Sequence, residues 1–119
     1  MEIAETKLRS LINAPVISLP DPTKERMYAI AFDLDANQLK NQYPNASWQN
    51  AYSDVRQTLN QLGFTWQQGS VYFGNKDITA VQCVLAAQKL SNTYSWFKGC
   101  VRDIRMLRIE ELNDLKVAL

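Results

Sequence analysis

The first regular pattern in the chain lies at Met27–Leu34. Tyr28, Ile30, Phe32 and Leu34 fall on one side of an alternating strand, and Met27, Ala29, Ala31 and Asp33 on the other. Both sides are largely apolar, which predicts an interior strand. Asp35 and Gln38 then fit a helix-start box, opening a short helix over Ala36–Gln42 that stops before Pro44. Trp48, Ala51, Tyr52, Val55, Leu59 and Leu62 recur every three or four residues and predict a longer amphipathic helix, opened by Asn45 or Ser47 and closed by Gly63. Phe64–Gln67 and Ser70–Phe73 read as two short strands joined at Gln68-Gly69. Asp77 is the expected cap of a second long helix, with Ile78, Val81, Val84, Leu85 and Leu90 on its buried side. Ser95 starts a helical turn containing Trp96 and Phe97, and Ile104–Ile109 is the last strand, followed by a tail. The order strand, helix, strand, strand, helix, strand is the ferredoxin-like βαββαβ plan: an α+β fold with a four-stranded antiparallel sheet and both helices on one face. The bare face of such a small sheet calls for cover, and a second copy of the chain is the expected cover.

Residues 1–26 read differently. Ile3, Leu8, Leu11 and Ile12 make a short amphipathic helical pattern, which Pro15, Pro20 and Pro22 interrupt with an extended segment. The expected division is an arm over 1–26 and a domain over 27–119. Deleting the arm is expected to raise activity if it regulates access to the domain.

Composition narrows the chemistry. The 119 residues suit one core, 46% are hydrophobic and the formal net charge is +1. That balance disfavours a protein that coats nucleic acid through a global positive field, while allowing a local basic patch. No apolar run approaches the roughly 18 residues of a membrane span, and the first residues lack a secretory plan, so a cytoplasmic protein is expected. There is no histidine, so histidine-driven ribonuclease chemistry and serine–histidine triads are excluded. Cys83 and Cys100 have no metal-ligand spacing, and Cys83 lies in the apolar run AVQCVLAA, where a small buried thiol is expected.

The strings MYAIAFDLD, AYSDVRQTLNQLGFTWQQGSVYF and WFKGCVRDIRMLRIEE follow one another between Met27 and Glu111. In this order and spacing they resemble the virulence-associated protein D (VapD) family, whose fold is related to the small CRISPR-associated endoribonucleases. The resemblance implies a homodimeric endoribonuclease, in some members the toxin of a toxin–antitoxin pair. RNA would then be the substrate and an antitoxin protein a candidate partner. The arm departs from the family pattern, and either a fused antitoxin-like segment or a docking arm would account for it.

Within that frame Asp33 is the first candidate catalytic residue, at the end of the first strand, where the related nuclease fold keeps its acid. Two copies across a dimer axis could hold Mg²⁺ or Mn²⁺, making Asp33 a metal ligand; without metal one carboxylate could act as base. Asp35 suits the competing role of helix cap. Ser70 is a candidate phosphate contact or simply a turn residue. Asp103 is a candidate assisting acid, or the partner of a neighbouring arginine. Lys98, Arg102 and Arg105 are candidate RNA-binding cations, while Arg105 and Arg108 fall on opposite faces of the strand. Trp66 is open to base stacking, whereas Trp48 and Phe97 belong to a core. Two readings compete with the nuclease: a non-catalytic module that binds nucleic acid or protein, and a small-molecule sensor, which the QGSVY and VRDIR strings disfavour.

Overall fold

The computed structural model describes residues 27–119. The expected arm over 1–26 lies outside the described residues. The fold consists of β1 (Met27–Leu34), α1 (Ala36–Gln42), α2 (Asn50–Gln61), β2 (Phe64–Gln68), β3 (Val71–Gly74), α3 (Ala80–Thr93), α4 (Phe97–Cys100) and β4 (Val101–Ile109). The strands form one antiparallel sheet in the order β2-β3-β1-β4, so β1 is an interior strand, as its two apolar faces require. Ala29, Ile30 and Ala31 of β1 stand opposite Phe73, Tyr72 and Val71 of β3. The compact unit ends at Arg108; the tail beyond it is a separate unit, with a 3-10 turn at Leu115–Ala118.

The core lies where Ile30, Phe32, Leu34, Phe64 and Tyr72 meet Val55, Leu59, Cys83, Ala86 and Leu90, all buried. Phe32 stacks on Tyr72 with centroids 5.9 Å apart and meets the edge of Phe97 at 6.4 Å. Burial of these rings is the main stabilising term. Gly63 ends α2 at φ +95°, a conformation that costs a glycine nothing, and its carbonyl accepts the Asn75 backbone N–H at 2.9 Å.

The helix faces required two corrections. α3 buries Cys83, Ala86 and Leu90, while the expected core residues Val81, Val84 and Leu85 are 66%, 53% and 54% exposed. Small residues on the inner side let the helix lie close to the sheet; the bulkier aliphatic row is turned out. The cap is Thr79, not Asp77: the Thr79 hydroxyl accepts the Gln82 N–H while the Gln82 side chain accepts the Thr79 N–H. The Asp77 N–H is instead taken by the Asn75 side chain in a tight turn. α2 begins at Asn50, later than expected, and β4 begins at Val101, earlier than expected.

Polar groups tie α1, α2 and the α3 end together. The Tyr43 hydroxyl donates to Asp54 at 2.6 Å, and the Tyr94 hydroxyl donates to the Asp54 carbonyl at 3.0 Å while meeting Thr58 Oγ1 at 2.9 Å. The hydrogen bond to Asp54, with burial and the carboxylate charge behind it, pushes the Tyr43 hydroxyl up to about 12 from 10.0. The raised value means that the neutral phenol is favoured in the folded state. Its stabilisation is complete below pH 10 and is lost as pH rises toward 12. Tyr43→Phe is therefore expected to cost about 0.5–1.5 kcal/mol at neutral pH. In urea unfolding the gap from wild type should stay constant up to pH 10 and close above it; a gap independent of pH would refute the linkage.

Candidate active site

Alternation at the end of β1 divides the FDLD run. Leu34 turns into the core, and Asp33 turns outward with its side chain 61% exposed. Asp35 follows the strand and starts α1, its Oδ1 accepting the backbone N–H groups of Asn37 and Gln38 at 2.9 and 3.1 Å. Only half of the expected box forms, because the Asp35 N–H donates to the Cys100 carbonyl at 2.8 Å and Gln38 Oε1 accepts from Gln42. That backbone bond sets the start of β4 against the end of β1.

Arg102 then reaches both carboxylates. Its Nη1 lies 3.8 Å from Asp33 Oδ2 and its Nε 3.7 Å from Asp35 Oδ2. The guanidinium is 63% exposed, and at these distances the pairing is Coulombic. It keeps its planar fork of donors available to a phosphate. Reading Asp35 as a cap was correct but incomplete: its second oxygen also steers Arg102. Two carboxylates flanking one core residue at a strand end were the available signal; the arginine they share lies far along the chain.

The hairpin turn at Gly69-Ser70 sits beside this end of β1, because the Ser70 carbonyl accepts the Phe32 N–H at 3.1 Å. Ser70 therefore lies in the turn before β3, on the strand next to Asp33. Gly69 adopts φ +52° there. Lys98 is exposed on α4, just before Cys100 and so at the same end of the sheet. α4 lies tight against α1, since a Cβ at Gly99 would stand 2.5 Å from the Gln42 side chain.

Asp103 and Arg105 form a pair of their own: Arg105 Nε lies 3.0 and 3.2 Å from the two Asp103 oxygens. Asp33, Asp35 and Arg102 are thus in contact, Ser70 and Lys98 share their end of the sheet, and Asp103 is held by Arg105 rather than by Asp33. The thiols are excluded from this chemistry by burial, which raises both, Cys100 with a further push from Asp35.

Among the described residues no three acidic or thiol side chains gather into a metal cage. Asp35 is committed to α1, and the neighbour of Asp33 is a guanidinium. The described donors of one chain do not fit a resident divalent ion. What they offer is an exposed carboxylate able to take a proton, and a cation within 4 Å of it able to stabilise a charged phosphorane. Among the described residues no helix is long and apolar enough to cross a membrane.

Comparison with known proteins gives this arrangement its context. The family model for CRISPR associated protein Cas2 matches residues 26–117. The chain is 55% identical over 93 residues to Endoribonuclease VapD 2 of Riemerella anatipestifer, covering 78% of this chain and 99% of that protein. It is 52% identical over 93 residues to an endoribonuclease VapD homologue of Helicobacter pylori, covering 78% and 96%. It is 47% identical over 89 residues to an Endoribonuclease VapD of the same bacterium, covering 74% and 93%.

Proposed function

The chain belongs to the VapD family and carries its Cas2-type fold, and from that premise we propose that it is an endoribonuclease that cuts RNA at the Asp33–Arg102 end of the sheet. The single observation that carries the reading is the exposed Asp33 carboxylate with the Arg102 guanidinium 3.8 Å away. In this reading Asp33 takes the proton of the attacking oxygen, either a ribose 2′-hydroxyl or water. The phosphorus–oxygen bond to the attacking group forms as the bond to the 5′-oxygen breaks. The departing 5′-oxygen takes a proton from solvent to leave as a hydroxyl, while Asp33 returns its proton to water. Arg102, with Lys98 at the same end, neutralises the phosphate as charge builds. Ser70 contacts the scissile phosphate from the hairpin turn.

The proposal includes a homodimer in which each copy supplies one Asp33, and a role as the toxin held by an antitoxin protein in the cytoplasm, as the family resemblance implies. Asp103 and Arg105 enter as an RNA-contacting pair further along β4, with Asp103 assisting only after Arg105 turns to a phosphate. Were Mg²⁺ or Mn²⁺ to take part, the Asp33 carboxylates of two copies would hold it, and it would supply charge to the phosphate and activate water.

The test is a circular RNA incubated with purified protein, with and without EDTA, its mass followed by light scattering. Linearised product from a protein of twice the chain mass is expected, since only internal cleavage opens a circle. Persistence in EDTA assigns the chemistry to the chain's own side chains; loss in EDTA with recovery in Mn²⁺ restores the bridging ion. Salt-sensitive binding with no product would replace the nuclease by the binding module.

A further inference from the structure

Trp66 is 41% exposed on the edge strand β2, yet it is not loose. Its indole N–H donates to the Gly69 carbonyl at 2.7 Å, and the Arg56 guanidinium lies over its ring, 4.0 Å from the centroid. Burial raises the Tyr72 hydroxyl, and the nearby Arg56 charge offsets part of that rise. Tyr72 stands opposite Trp66 across the β2–β3 pair. A large aromatic is thus oriented by two fixed partners while much of its surface stays in water. An edge-strand tryptophan placed only to fill the core would be buried, as Trp96 is at 4%.

Its position adds the second argument. The indole is tied to Gly69, Ser70 follows Gly69, and the Ser70 carbonyl is tied to Phe32, next to Asp33. Arg102, Asp33, Ser70 and Trp66 therefore follow one another around one end of the sheet. Trp66 is on the helix-bearing face it shares with Tyr72 and Ile30, and Asp33 is on the opposite face, so a strand bound at both turns over the hairpin end at Gly69-Ser70. Trp66 is level with Ile30, so the path to Asp33 crosses two strand spacings and runs three residues along β1, about 14 Å in all and roughly two nucleotides of extended chain. We propose that Trp66, backed by Arg56, is a base-stacking subsite for single-stranded RNA beside the cleavage site. The indole face takes a base, and the guanidinium supplies charge for its phosphate. This rests on the endoribonuclease reading and adds the state of the substrate, an unpaired strand whose base can turn out to meet the ring.

The experiment uses the full chain and an unpaired oligoribonucleotide in which each nucleotide in turn is made abasic. For wild type, one abasic position about two nucleotides from the cut should lower kcat/KM by roughly 10-fold, and the intact oligonucleotide should quench tryptophan emission. Trp66→Ala should lose a similar factor on the intact RNA and become insensitive to that abasic position. Trp66→Phe keeps a stacking ring and the fold, and should lose less than about 3-fold while retaining the abasic sensitivity. Equal abasic sensitivity in Trp66→Ala and wild type, or no abasic effect in an active wild type, overturns the subsite and leaves the nuclease standing. A wild type that neither binds nor cuts RNA removes both.

Discussion

Asp33→Ala is expected to lower kcat/KM for RNA cleavage by on the order of 10³-fold, the range lost with a general base. The loss should fall in kcat, because a proton acceptor acts on the transition state more than on the bound RNA. Binding should hold or tighten slightly, since one negative charge leaves the path of a polyanion. The fold should not notice: Asp33 is outward on β1, and its pairing with Arg102 at 3.8 Å in water contributes little to stability. Asp33→Asn keeps the shape and loses the charge, so it should match the alanine variant. Arg102→Ala should cost less in rate but more in affinity, its charge serving both the bound phosphate and the transition state. In cells, growth arrest on induction of wild type and its absence with Asp33→Ala would match the toxin role. A purified Asp33→Ala protein that cuts within twofold of wild type would end the assignment.

The site was legible in part because its two acids lie two residues apart on a strand end. Alternation alone separates a core Leu34 from an outward Asp33, and the helix that follows claims Asp35 as its cap. The share of Arg102 held by Asp35 was not legible. The ferredoxin-like plan brings the last strand near the first, but which residue of β4 meets the acids depends on register, which the Asp35–Cys100 backbone bond sets. The Asp103–Arg105 pair, by contrast, is local and was one of the two readings of VRDIR.

α3 misled for a physical reason. Hydrophobicity ranks Val81, Val84 and Leu85 above Cys83 and Ala86, so a stripe drawn by apolarity puts the larger residues inside. Packing is decided by fit to the sheet, where Phe32, Tyr72 and Phe64 already fill the space and a small-residue face fits. The Thr79 cap was hidden likewise. Asp77 and Thr79 are both good caps, and the choice fell to the residue whose third successor, Gln82, completes the reciprocal box.

Phe64→Ala is expected to destabilise the domain by about 3–5 kcal/mol. Phe64 is 1% exposed and the largest of the fully buried side chains. It enters the core at the first residue of β2, directly after the turn at Gly63, and stands opposite Gly74, whose missing Cβ leaves room for Ile78. A Cβ there would sit 2.9 Å from that of Ile78, so the surroundings are too tight to refill the space of a lost ring. Against a total of roughly 5–15 kcal/mol for a domain this size, the loss should lower the midpoint of thermal unfolding by on the order of 15–30 °C. Thr65→Ala, one residue on and exposed, is the control and should stay within about 0.5 kcal/mol. The effect carries to the chemistry because β2 and β3 hold the turn with Ser70 and the carbonyl that orients Trp66. Cooled until folded, Phe64→Ala should still cut RNA, but with a weakened preference for the stacked base, since the strand beneath Trp66 has lost its anchor. A loss of less than about 1 kcal/mol in urea unfolding would mean that the edge strand is held by its ladder to β3 rather than by Phe64.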